Sequence, residues 1–496
     1  MNLYEISEKA RETGIENIPI SGVTDNSAEF TAGNVFVCIK GEKFDGHTLA
    51  EEMLNKGAAA IVVERDLQLR SQIIVPDSRR YFAELASCFY GRPTKKLKLI
   101  AVTGTNGKST TIAFIKHILE KRGHKVGSIG TVCYDTAGSI YEAQLTVPHS
   151  MDLYRLFRET LDNGAEYCVV EASSQSLSQS RFADESFECA VFTNLTQDHL
   201  DWHKTMGNYY LAKQSLFDMT KSAAVCVDDK YGERLVKYIK LKDGIPLLTY
   251  SVKDAADNYP VNIKSASAGV SYWLSSATEE KSLPVNLVLP GLYNVANSIG
   301  AVSACMLLGI NFSDAVEALR DFKGVSGRCE VIYDGSFTVI RDYAHTHDAL
   351  TKFLTGVKSF MRRDSRLICV FGAGGERDAA KRPLMGEAVD KLADFIFVTS
   401  DNPRFENQEQ IISQVCEGIK RMPCETFADR KEAIEAAVKM AETGDMITLC
   451  GKGHETYQVI GGEYQPFDEK EITLEAIRKF KSGELGAPIN SEKELI

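Results

Sequence analysis

The sequence predicts an α/β protein in three parts: an α/β first domain, a central parallel sheet of the P-loop type and a Rossmann-like third domain. Three observations carry that prediction. The apolar run Leu99-Ile100-Ala101-Val102 leads straight into Thr103-Gly104-Thr105-Asn106-Gly107-Lys108-Ser109-Thr110. That is the pattern of a strand, a tight glycine turn and a helix start. Apolar runs of strand length alternate with helical patterns along the chain, as parallel sheets require. Its 496 residues leave room for roughly three domains of ordinary size.

The first segment, 1–97, holds the strand-like runs Val35-Phe36-Val37-Cys38-Ile39 and Ala60-Ile61-Val62-Val63, and a helical stretch over residues 81–90. Gly91-Arg92-Pro93-Thr94-Lys95-Lys96 reads as a linker. The second segment, 98–325, opens on the glycine turn. Ile112, Ile115, Ile118 and Leu119 give the next helix an apolar face, and Gly123 stands where its C-terminal cap belongs. Tyr167-Cys168-Val169-Val170 and Cys189-Ala190-Val191-Phe192 are further buried-strand candidates. In the third segment, 326–496, strands are predicted over 337–340, 367–371, 395–398 and 446–449. A polar cluster follows each of them: Asp342-Tyr343-Ala344-His345, Gly372 to Asp378, Asp401-Asn402-Pro403-Arg404 and Gly451-Lys452-Gly453-His454-Glu455. Open α/β sheets bind ligands at the carboxyl ends of their strands.

Composition excludes several classes. With 44% hydrophobic and 25% charged residues the chain is ordinary for a soluble globular protein. A net charge of −11 argues against a nucleic-acid surface. No apolar run has transmembrane length and the N-terminus lacks a signal-peptide pattern, so a cytoplasmic protein without membrane contact is expected. Twelve scattered cysteines with no Cys-x-x-Cys indicate neither a zinc site nor a disulfide framework.

Backbone N–H groups of the glycine turn and of the helix start would face an anion, Lys108 would reach terminal phosphates and Ser109 would offer a hydroxyl to Mg²⁺. The usual Gly-x-x-x-x-Gly-Lys spacing fails, because position 102 is Val; Gly104-x-x-Gly107-Lys108-Ser109 stands instead. Glu171 ends one predicted strand and Asp198-His199 lie past the next, so a carboxylate, an imidazole and the Ser109 hydroxyl could share Mg²⁺. The plainer alternative makes His199 a capping or core histidine. Lys213 lies in a helical context where a surface lysine is an equal alternative. Arg404 and Arg377 could each clamp a carboxylate, and Glu455 could receive an ammonium group. Asn294 and Asn297 could read adenine edges or serve as ordinary helix-start polar residues.

Together these residues resemble the Mur ligase family, and within it the member that adds the third residue of the peptidoglycan stem peptide. The resemblance rests on an ordered set of pieces: Asn26-Ser27 with Gly33, 41–46, 104–110, 171–174, 193–203, Ala212-Lys213, 291–297, Gly327-Arg328, 342–346, 372–383, 401–404 and 451–458. It implies a UDP-binding first domain (1–97), a central P-loop ATPase-type domain (98–325) and an amino-acid-binding third domain (326–496). By the same resemblance Ser27, Glu42, Lys43 and Phe44 hold the UDP end of the substrate, and Thr146, Ser173, Gln179 and Arg181 contact the muramoyl-peptide. Gly104, Thr105, Asn106, Gly107, Lys108, Ser109, Thr110, Asn294, Asn297, Arg328 and Asp342 bind ATP. Ser109, Glu171, His199 and Lys213, the last as a CO₂-derived carbamate, hold Mg²⁺; Lys108 and Arg328 complete the catalytic set. Arg377, Asp401, Asn402, Pro403, Arg404, Gly451 and Glu455 bind the incoming amino acid. Arginine at 404 implies meso-diaminopimelate rather than lysine.

The expected reaction is therefore ATP-dependent amide formation on the D-Glu side chain of UDP-MurNAc-L-Ala-D-Glu through an acyl phosphate. It belongs to cell-wall biogenesis, and through it to cell shape and division, and the resemblance implies a monomer. Ala28, Val147, Gln175, Cys226, Ser326 and His347 depart from the family pattern. They leave open a lysine-adding enzyme, a ligase acting on another carboxylate, or a non-catalytic nucleotide-binding scaffold.

Overall fold

The computed structural model describes residues 1–41, 44–183, 185–266, 269–362 and 364–484. Three main sheets follow one another along the chain. The first holds β1 (Gly22–Thr24), β2 (Asn34–Val37), β3 (Ala60–Val63) and β4 (Gln72–Ile74), all parallel and in that spatial order. Every residue of β2 and β3 is buried, which explains their unbroken apolar character. The helix Ser78–Phe89 follows, its first turn closed by Asp77, which accepts from Arg80 N at 3.0 Å. It packs against the helix Ser150–Asp162 and so fastens the first sheet to the second. The stretch read as a linker contains a 3-10 turn, Pro93–Lys95, entered through left-handed Arg92.

The second sheet has eleven strands: β5 (Lys98–Thr103), β6 (Val126–Ile129), β7 (Cys133–Asp135), β8 (Ile140–Glu142), β9 (Tyr167–Glu171), β10 (Cys189–Phe192), β11 (Ala223–Cys226), β12 (Leu247–Tyr250), β13 (Asn258–Ala266), β14 (Gly269–Ser276) and β15 (Leu283–Leu287). Their spatial order is β15-β14-β13-β12-β11-β10-β5-β9-β6-β7-β8. The centre is parallel, as predicted, with β5 between β9 and β10. Both edges are antiparallel, β13–β15 on one side and β7–β8 on the other, and no strand was predicted there. The reason is physical. All of β8 is exposed, and β14 alternates polar and apolar residues because only one face is covered. The helix Lys108–Lys121 buries Ile112, Ile115, Ile118 and Leu119 against the helix Leu292–Leu307, each side chain contributing about 1.5–3 kcal/mol of apolar burial. Gly123, just past its end, takes φ +87°, the cap conformation expected there.

The third sheet runs β16-β17-β21-β18-β19-β20, from β16 (Glu330–Asp334), β17 (Thr338–Asp342), β18 (Leu367–Phe371), β19 (Phe395–Thr399), β20 (Cys424–Phe427) and β21 (Met446–Cys450). Only β16 is antiparallel. A separate hairpin, β22 (Tyr457–Ile460) and β23 (Glu463–Pro466), follows. All twelve cysteines are free, and among the described residues no helix is long and apolar enough to cross a membrane.

Candidate active site

A cavity of about 1200 Å³ lies where the carboxyl ends of the second and third sheets face one another. Its lining runs from Lys108 and Ser109 through Glu171, His199, Arg328 and Asp342 to Asp401, Arg404 and Glu455. Four segments far apart in the chain thus meet in one space.

Gly107, at φ +87°, opens the phosphate loop into the helix Lys108–Lys121. A Cβ there would stand 2.3 Å from Asn297 Oδ1, so glycine is required both by conformation and by space. Asn294 and Asn297 sit in the first turns of the helix Leu292–Leu307. Asn294 Nδ2 donates to Pro290 O at 2.8 Å, so half of its carboxamide is spent on its own helix entry.

Lys108 Nζ donates to the carbonyls of Gly104 (3.1 Å) and Thr105 (2.8 Å). Ser109 Oγ donates to Glu171 Oε1 at 2.7 Å, and Arg328 Nη2 donates to Ser109 Oγ at 3.2 Å. Thr131 closes the far side of Glu171, its N–H and hydroxyl donating at 2.9 and 3.0 Å. The guanidinium of Arg328 lies 4.3 Å from the Tyr343 ring centroid, a cation–π contact that aims it into the cavity. Asp342 accepts from Cys329 N and Ala344 N, at 2.7 and 2.8 Å; burial raises its carboxyl, against the pull of Arg328.

His199 adopts the left-handed conformation, φ +52°, at the start of a short helix, with Nε2 at 3.4 Å from Asp198 Oδ2. Desolvation in the cleft outweighs Asp198, and with the ammonium groups of Lys213 and Lys108 it pushes the imidazole down to about 4, keeping it neutral. Lys213 is buried, its Nζ donating to Gly104 O at 2.9 Å and lying 4.8 Å from the Tyr209 ring centroid. Burial, reinforced by Lys108, lowers it well below the ordinary lysine value. The surface-lysine alternative is therefore wrong.

Among the described residues no group of three His, Cys, Asp or Glu side chains is arranged to hold a metal. The predicted set supplies only two such groups, Glu171 and His199. Their chemistry nonetheless suits a hard cation. Ser109 Oγ and Glu171 Oε1, 2.7 Å apart, have the spacing of neighbouring ligands at about 2.0–2.1 Å. As an amine pointing at Gly104 O, Lys213 is not itself an oxygen donor.

At the other end, Arg404 also has a left-handed backbone, φ +53°. The hairpin holds it there: Arg404 N donates to Val459 O at 2.9 Å and Gly461 N to Arg404 O at 2.7 Å. Its Nη1 donates to Gly375 O at 2.6 Å. Asn402 Nδ2 donates to Glu455 Oε2 at 2.9 Å. Arg377 is exposed and lines the cavity, as do Asp401 and Gly451; Pro403 lies beneath, with its carbonyl against Gly375.

Thr146, Ser173 and Arg181 line the cavity, and Gln179 Oε1 accepts from Arg181 Nε at 3.0 Å, so Gln179 acts by orienting the arginine. Ser27 and Phe44 are exposed on the first sheet's loops and do not line it. Glu42 and Lys43 lie outside the described residues. Three cavity residues were not anticipated: Asp348, His345 and His454. Buried Lys452 and Arg382, which brace the amino-acid end, were missed too. Position after a strand end was the only available signal, and it did not single them out from their neighbours.

Models of the Mur ligase middle domain, of the Mur ligase glutamate ligase domain and of the Mur ligase family catalytic domain match residues 102–305, 327–453 and 19–90. A Clostridium acetobutylicum protein named UDP-N-acetylmuramoyl-L-alanyl-D-glutamate–2,6-diaminopimelate ligase 1 is 41% identical over 469 residues, covering 93% of this chain and 96% of the relative. The chain belongs to the Mur ligase family. A similarly named protein of Caldanaerobacter subterraneus subsp. tengcongensis is 42% identical over 471 residues, or 94% of this Mur ligase and 96% of that protein. A solved structure titled as a UDP-N-acetylmuramoyl-L-alanyl-D-glutamate–2,6-diaminopimelate ligase aligns with a TM-score of 0.67 at 32% identity, covering 93% and 96% of the two chains. The Thermotoga maritima MurF ligase in complex with ADP shares the fold, with a TM-score of 0.62 at 19% identity over 93% and 98%. This Mur ligase is accordingly an ATP-dependent ligase of three-domain α/β architecture.

Proposed function

We propose that this Mur ligase joins meso-diaminopimelate to the D-Glu side-chain carboxylate of UDP-MurNAc-L-Ala-D-Glu, in peptidoglycan precursor synthesis in the cytoplasm. The observation that carries the reading is the single cavity joining the phosphate loop to Arg404 and Glu455. One end offers cations and loop N–H groups to a triphosphate; the other pairs a guanidinium with a carboxylate, the match for an amino acid bearing an extra carboxylate. The names of the relatives point the same way.

In this reading Lys108 leaves its loop carbonyls for the γ-phosphate, and Arg328, held by Tyr343, faces the same charge. The acceptor carboxylate attacks the γ-phosphorus, giving an acyl phosphate and ADP. Glu455 and Arg404 hold the amino acid so that its amine attacks the acyl carbon; a tetrahedral intermediate then expels phosphate. Ser109, Glu171 and His199 would hold Mg²⁺, which when bound neutralises phosphate charge. Lys213, buried and neutral, is suited to add CO₂ and become a carbamate, replacing an N–H donor with anionic oxygens. Ser27, with Glu42, Lys43 and Phe44, takes the UDP end. The division into units 1–97, 98–325 and 326–496 belongs to this proposal, as does a monomer that contacts neither membrane nor nucleic acid. In its support, each main sheet falls within one of those ranges.

The test is phosphate release from ATP with UDP-MurNAc-L-Ala-D-Glu and meso-diaminopimelate, L-lysine or no amino acid. Release with meso-diaminopimelate alone is expected. Release with lysine overturns the choice of amino acid, and none with either overturns the choice of acceptor.

A further inference from the structure

Lys452 sits between two glycines just past β21, with its side chain wholly removed from solvent. Its Nζ donates to Asn402 Oδ1 at 2.9 Å and to Glu455 Oε2 at 2.8 Å, and lies 3.5 Å from Asp401 Oδ1. Burying an ammonium is costly unless it is paired and hydrogen-bonded, so a lysine held here has to answer to specific partners. Both of its hydrogen-bond partners line the amino-acid end of the cavity.

The consequences for those partners are definite. Asn402 Oδ1 accepts from two donors, Lys452 Nζ and Val459 N (3.0 Å), which fixes its amide so that Nδ2 faces Glu455. Glu455 Oε2 is held by Asn402 Nδ2 and Lys452 Nζ together, while Oε1 accepts no hydrogen bond among the described residues. One oxygen is anchored and the other is offered to the cavity. The charges follow the same logic. Asp401 and Glu455 carry two negative charges and Lys452 one positive, leaving one net negative charge for one incoming ammonium.

We propose that Lys452 is a positioning residue: it anchors Glu455 Oε2 and sets the Asn402 amide, so that Glu455 Oε1 alone meets the ammonium group of the incoming amino acid. This rests on the function proposed above. Lys452 touches no reacting atom, and its effect passes through Glu455.

The test uses the full-length enzyme, with meso-diaminopimelate and ATP each varied at saturation of the other substrates. Lys452→Met is expected to raise KM for meso-diaminopimelate about tenfold or more, with KM for ATP within about twofold of the parent enzyme. In a Glu455→Gln background the same change is expected to add less than about twofold, because contacts acting through one group are not additive. An unmoved KM for meso-diaminopimelate, an equal rise for ATP, or effects that multiply in the double variant overturns the proposal. Should Lys452→Met fail to fold, Lys452→Met/Asp401→Asn restores the charge balance without the anchor. A high KM for meso-diaminopimelate then supports positioning, and a normal one overturns it. A parent enzyme that does not use meso-diaminopimelate overturns both this proposal and the function beneath it; an active parent with unmoved variants overturns this proposal alone.

Discussion

Asn106 of the phosphate loop donates its side-chain amide to Asp348 Oδ2 at 2.9 Å, joining two residues 242 positions apart. Asp348 stands in the first turn of the helix His347–Lys358, beside the third sheet. Its Oδ2 also accepts from Thr196 Oγ1 at 2.8 Å. One carboxylate thus ties the loop after β5 and the loop after β10 to the third sheet's unit. Asp348→Ala should destabilise the protein by about 2 kcal/mol, the scale of hydrogen bonds to a charged group. The Lys352 ion pair, half-exposed, adds little. Urea denaturation reads the loss, and an unchanged midpoint refutes the tie.

Arg404→Ala removes the only guanidinium that the hairpin straps in place at the cavity's amino-acid end. Losing a charge-assisted pair with a substrate carboxylate costs about 2–3 kcal/mol, roughly 30- to 150-fold in KM for meso-diaminopimelate. KM for ATP should stay put, because Arg404 is braced by Gly375 rather than by the phosphate loop. Steady-state kinetics with each substrate varied decides this; equal losses for both would mean that the arginine supports the fold instead.

Lys213→Ala should lower turnover by about 100-fold. Added formate or acetate should restore part of it by supplying the missing oxygens. The same modification should give a ¹³C signal from labelled CO₂ in the parent enzyme and none in the variant. A fully active variant would remove Lys213 from the mechanism.

The first unit carries its own response to acid. Asp45 accepts from the backbone N–H and Nδ1 of His47, at 3.0 and 2.6 Å, and from Arg65 at 3.2 Å. The His47 hydrogen bonds, backbone first, lower its carboxyl from 3.8 to about 2. A folded-state value below the unfolded one means that the unfolded chain binds the proton more readily. The stabilisation is therefore complete above about pH 4 and is lost as pH falls toward about 2. Asp45→Asn should flatten denaturation midpoints across that window, measured on the intact chain; a slope equal to the parent's would show that other carboxylates dominate.

What could be read from sequence divides along a physical line. Gly104, Gly107 and Lys108 announce themselves because turn, cap and charge fall within a few consecutive positions, and the buried strands β2, β3 and β10 are apolar throughout. Glu171 and Asp401 were legible by topology, as polar residues where a buried strand ends. β8 was not, because a wholly exposed edge strand has no apolar period to detect. Lys452 and Asp348 escaped for a different reason. Each gains its meaning from partners about 50 and 242 positions away, and no local pattern separates such a residue from a loop charge. Lys213 shows the same limit: its helix is nearly uniform in polarity, and only tertiary packing puts it inside.

The unbroken space between Lys108 and Arg404 has a consequence for inhibition. Two fragments that each hold one end only weakly can be tethered into one molecule without meeting a wall between them. The second contact then forms at the local concentration set by the tether, in the millimolar range for a short flexible one, so avidity can exceed either fragment's affinity by about 10²–10⁴. Resistance by substitution at one end would leave the other grip intact, and the compound would fall back to a fragment's potency rather than to none.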